Sequence, residues 1–102
     1  QYSKILEHSV SESEQHKLAT NRFIDLANEL KDEGIDPMIV SGGLMTASSI
    51  YATYVAAGND GALEETGVDK VVDLYRRTLV HFQTVKRRGL KRDHEESGET
   101  LN

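Results

Sequence analysis

From Pro37 to Asn59 the chain runs without a charged residue, PMIVSGGLMTASSIYATYVAAGN, and any fold has to find a place for that stretch. Two readings compete. A short apolar run, a glycine pair and a following helix would form a strand and a phosphate-cradling loop; the same letters could instead be one helix. The helix is better founded. Asp36 is a good N-cap, and Pro37 suits the first helical position, where its missing amide hydrogen would have had no partner. Val40, Leu44, Ala47, Tyr51 and Tyr54 recur at spacings of four and three, so the helical period passes through Gly42 and Gly43 without losing phase. The strand would need a second strand, and no other segment alternates or gathers β-branched residues. Nor does a Lys-Ser or Lys-Thr follow the glycines, as in a Walker-type loop. A helix over 37–57 follows.

Two glycines inside a helix cost on the order of 1 kcal/mol each relative to alanine, so they call for a reason. Spacing supplies one. Gly42, Thr46, Ser49, Thr53 and Ala56 share a narrow arc almost opposite Val40, Leu44, Tyr51 and Val55, which makes one face small and open to close helix approach. A surface helix normally carries charge on its outer side, and this one carries none. It is expected to lie between two other helices of its own chain, to expose a merely polar Ser/Thr face, or to meet a homodimeric or heteromeric partner. A membrane span is the weaker alternative, because the glycines and the many Ser, Thr and Tyr hydroxyls lack flanking apolar residues.

Two more segments have helical periodicity. Ser11 followed by Glu14 has capping-box spacing, and Ala19, Phe23, Leu26, Ala27 and Leu30 then fall on one face. Gly34 is placed to end this helix in the left-handed conformation, with Ile35 against Leu30. The predicted bounds are 11–33. Gly58 to Gly61 form the next turn, and Thr66 with Asp69 repeats the capping spacing before a helix predicted over 67–88. Val68, Val71, Val72, Tyr75, Leu79, Phe82 and Val85 make its apolar face; Gly89 is read as its terminator, with Leu90 reaching back to Val85. The fold class is thus all-α: a three-helix bundle over 11–90 with a short N-terminal arm, residues 1–10, and a charged C-terminal tail, residues 91–102.

With 102 residues, 37% of them hydrophobic, there is material for one domain and a modest core. A net charge of −5 opposes a phosphate backbone, so nucleic acid is an unfavourable partner. There are no cysteines, which fits a reducing, cytoplasmic setting. The start, QYSKILEHSV, shows no secretory signal pattern, although it begins at Gln1 rather than Met.

Signals of chemistry are weak, and no catalytic, metal or cofactor residue is nominated. Glu12 and His16 stand one turn apart, and Asp93, His94, Glu95 and Glu96 cluster, but a carboxylate-bridged metal site needs such pairs on facing helices. His81, at the edge of an apolar face, could be matched with Ser41, Ser48 or Ser49 on paper, yet no elbow motif or orienting acid accompanies them. Tyr75 and Phe82 read as core rather than as stacking platforms for bases. The run from Lys86 to Arg92 could meet an anion, although acidic residues follow at once.

NRFIDLANEL, VSGGLMTASSIYATYVAAGN and a last helix with YRRTLVHF together resemble a family of short bacterial proteins catalogued as domain of unknown function 3144. The resemblance covers about residues 16 to 90, and its most characteristic piece is Phe23 to Asn28. It implies a bacterial, all-helical, cytoplasmic protein and supplies no catalytic residues. The resulting expectation is a non-enzymatic accessory subunit or adaptor that binds a protein partner or itself. Its expected contact residues are Gly42, Thr46, Ser49, Thr53 and Ala56, with Arg87, Arg88, Lys91 and Arg92 pairing to an acidic partner. The alternative is a protein or enzyme that binds a small anionic ligand through Gly42, Gly43 and His81. The arm carrying Ile5, Leu6 and Val10, or the tail from Leu90, is expected to add intermolecular contacts.

Overall fold

The structure is a computed structural model that describes the backbone of residues 11–97 and the side chains of residues 11–94. Three helices and no strands occur among the described residues: α1 (Glu12–Asp32), α2 (Pro37–Ala57) and α3 (Glu65–Ser97). The all-α, three-helix expectation holds. The N-terminal arm with Ile5, Leu6 and Val10 lies outside the described residues, as do residues 98–102.

Each boundary has a local cause. The Ser11 hydroxyl accepts the Glu14 amide hydrogen at 3.1 Å and donates to the Glu14 carboxylate at 3.2 Å, so the expected capping residues open α1. At its other end Gly34 has φ 103°, Ile35 N–H donates to the Leu30 carbonyl at 3.2 Å, and Gly34 N–H donates to Lys31 at 2.9 Å. Those two bonds define a Schellman ending, and the positive φ requires a residue without a Cβ. The Asp36 carboxylate accepts Met38 N–H at 2.8 Å while its carbonyl accepts from Val40 at 3.0 Å, and α2 starts at Pro37 as read.

The end of α2 is equally defined. Gly58, with φ 80°, donates to the Tyr54 carbonyl at 2.8 Å, a left-handed cap. Three residues on, a methyl group at Gly61 would overlap the Ala57 carbonyl, so the turn closes too tightly for a side chain there.

Two boundaries of α3 differ from the sequence reading. Its first turn begins at Glu65, with Val68 N–H donating to the Glu64 carbonyl at 3.0 Å, so Thr66 sits inside the helix and does not cap it. Glu64 and Glu65 lie where the positive end of the helix dipole favours carboxylates. At the other end the helix does not stop at residue 88. It runs through Gly89 and Leu90 to Ser97, Gly89 has no positive φ, and most of the expected charged tail is therefore helical. Gly34 is followed by an N-cap and a proline that prevent continuation; nothing after Gly89 does.

The chain divides into two units, Gln1–Tyr51 and Ala52–Asn102. In the first, Val40 is buried and Ala27 and Leu30 are half-buried, flanking the turn between α1 and α2. In the second, Ala52, Thr53, Ala57, Leu63 and Val71 are half-buried around the loop that precedes α3, where the Leu63 side chain rests against the bare face of Gly67. Away from these corners the apolar faces are exposed. Val40 is the buried residue among the side chains described, so Phe23, Leu26, Tyr75, Leu79 and Phe82, expected in a core, are instead solvent-facing.

Candidate interaction surfaces

The helix through the glycine pair is unbroken, and this settles the rivalry between loop and helix. Inside an α-helix the amides of Gly42 and Gly43 are committed to carbonyls four residues back, so they do not form an anion cradle. A Cβ added at either position would meet nothing within 4 Å.

Gly42, Thr46, Ser49, Thr53 and Ala56 share one arc, as their spacing demands. Thr53 is half-buried, and the other four are exposed. Met38 and Met45 border the arc on one side, with Ile39 and Ile50 on the other. These four large side chains are open to water, Met38 at 82% and Ile50 at 66%. The result is a shallow channel with a floor of small residues and apolar banks. Its polarity is partly internalised: the Ser49 hydroxyl donates to the Met45 carbonyl at 3.0 Å, so covering it does not strand that donor. The opposite side is also apolar and exposed, with Tyr51, Tyr54 and Val55 solvent-facing.

On α3 the apolar face has the same character. Val68, Val72, Tyr75, Leu79, Phe82 and Val85 are each roughly half exposed along about five turns of helix. The rest of the helix surface is mostly polar, interrupted by exposed Leu74 and Val80. Arg77 pairs with Asp73 at 3.0 Å across one turn, an exposed contact worth only about 0.3 to 0.5 kcal/mol. Thr78 and Thr84 donate back to the Leu74 and Val80 carbonyls.

Arg87, Arg88, Lys91 and Arg92, expected at the end of a helix or in a tail, lie on the helix itself and are all exposed. Arg87, Arg88 and Lys91 point away from the apolar face by helical phase, whereas Lys86 lies within it and Arg92 at its edge. Sequence reasoning did not place Lys86 on the apolar face; the four-and-three spacing from Tyr75, Leu79 and Phe82 carries that signal.

The residues of the alternative ligand site are divided between the two units. Gly42 and Gly43 belong to the first unit, while His81 is an exposed residue of the second. Glu12 and His16 lie one turn apart on α1, and no group of three or more His, Cys, Asp or Glu placed to hold a metal occurs among the described residues. No helix among them is long and apolar enough to cross a membrane. No family model, curated protein or solved structure matches the chain.

Proposed function

We propose that the chain is a small non-enzymatic accessory subunit or adaptor of the cytoplasm, which works by binding protein through α2. The observation that carries this reading is a 21-residue helix without charge whose large apolar side chains face water on opposite sides. Apolar area gains about 25 cal/mol per Å² on burial. Covering several such side chains therefore favours association by several kcal/mol before its entropic cost is subtracted. A protein surface suits the channel better than a nucleic acid does, because α2 offers no cation to a phosphate and the whole chain is at −5.

A photo-crosslinking amino acid placed at Ile50 in the full chain, expressed in cells, tests this directly. Irradiation is expected to give a discrete covalent adduct to protein, another copy or a different chain. The same probe at Arg22, on the polar side of α1, is the background. Adduct formation at Ile50 no greater than at Arg22 would overturn the reading.

A further inference from the structure

Charge is unevenly distributed along helix α3. Its entry and first turns carry Glu64, Glu65, Asp69 and Asp73 against Lys70 alone, while Arg76, Arg77, Lys86, Arg87, Arg88, Lys91 and Arg92 follow without an intervening acid, and Asp93, Glu95 and Glu96 in the last turns leave the second half of the helix still net basic. Glu65 and Arg88 are separated by roughly 35 Å at 1.5 Å per residue, several Debye lengths at physiological salt. The two ends of one straight helix therefore cannot neutralise each other. Between them lies the exposed apolar face.

We propose that this face binds a second copy of the chain, with the two α3 helices antiparallel and Glu64 and Glu65 of each set against Lys86 and Arg92 of the other. The proposal rests on the reading of the chain as a protein-binding subunit and names the partner of this second surface. The apolar positions have the alternating spacing of a coiled-coil seam. Turned end for end about a dyad beside Arg77, the seam meets itself in register: Tyr75 opposes Leu79 of the second copy, Val72 opposes Phe82, and Val68 opposes the aliphatic stem of Lys86. Each layer occurs twice by symmetry. Lys86 then has its methylenes on Val68 and its ammonium toward the acidic first turn of the other helix. Glu64 faces Arg92 along the flank. Arg76 approaches its own copy beside the dyad, where its long stem lets the guanidinium groups splay into water.

A parallel pair would set acid against acid and base against base, costing at both ends what the antiparallel pair gains. Nor does α3 need an unrelated acidic partner for Arg87, Arg88 and Lys91. The acidic first third of a second copy supplies the complementary field, although these three residues point outward.

Reciprocal charge reversal in the full chain tests the pairing. K86E/R92E and E64K/E65K are each expected to weaken self-association, measured by sedimentation, by at least roughly tenfold. An equimolar mixture is expected to recover a one-to-one complex, because each variant now complements the other. Orientation is read separately with single cysteines in an otherwise cysteine-free chain. Tyr75→Cys mixed with a mass-tagged Leu79→Cys is expected to form the mixed disulfide in preference to either like pair.

Association of K86E/R92E at wild-type strength, failure of the mixture to pair, or a preference for like disulfides would each overturn the proposal. The cysteine arm leaves the charged residues intact, so it remains decisive if a reversal variant folds poorly. Crosslinks from Ile50 that persist beside any of these failures would leave the α2 reading standing and remove only the α3 dimer.

Discussion

Gly42 and Gly34 show how differently one residue type can serve a chain. Gly34 has φ 103° and ends α1, whereas Gly42 is helical, without positive φ, and has open space where a Cβ would go. Alanine at 34 is expected to cost about 1 kcal/mol or more, and alanine at 42 to stabilise by roughly 0.5 to 1 kcal/mol, by urea denaturation. A destabilising Gly42→Ala would mean that the glycine is pressed against something in the assembled protein. Leucine at the same position should leave the helical circular dichroism intact and weaken binding at α2, because its side chain would stand up from the channel floor.

The element scale shows where sequence was informative and where it was ambiguous. Ser11, Asp36 and Gly34 were legible because each sits beside residues that reinforce it: Glu14 completes one cap, and Pro37 begins the next helix and bars continuation of the last. Gly89 had the same neighbour pattern as Gly34, a glycine followed by an aliphatic residue, but no stop signal beyond it. Lys91 and Arg92 have Glu95 and Glu96 four positions on, a spacing that supports helix, and α3 continues to Ser97. Gly89→Ala is therefore expected to increase helicity at 222 nm and add about 0.5 to 1 kcal/mol of stability. A left-handed terminator at this position would give loss of both. The early start of α3 was missed because Thr66 resembles a cap, while Glu64 and Glu65 signal the true first turn only through their charge.

For the whole molecule, periodicity identified the apolar faces of all three helices but could not say what covers them. Ala19, Phe23 and Leu26 on α1, or Val68, Tyr75 and Leu79 on α3, have the spacing of core residues whether their cover is another helix of the chain or another molecule. The structure leaves these faces exposed, with burial concentrated beside the turns. Candidate contacts on α2 were legible as a small-residue arc; the place of Lys86 within the α3 apolar face was not, because a charge inside an apolar seam reads as an interruption until a counterpart is considered. Self-association through such faces links folding to concentration. The most direct test is the thermal unfolding midpoint of the purified full chain across a hundredfold range of protein concentration, with mass measured at each. The midpoint is expected to rise steadily with concentration as the species grows beyond one chain. A sharp, cooperative transition from a monomer, with the same midpoint throughout, would mean that the faces cover one another within a single chain, and would contradict the account.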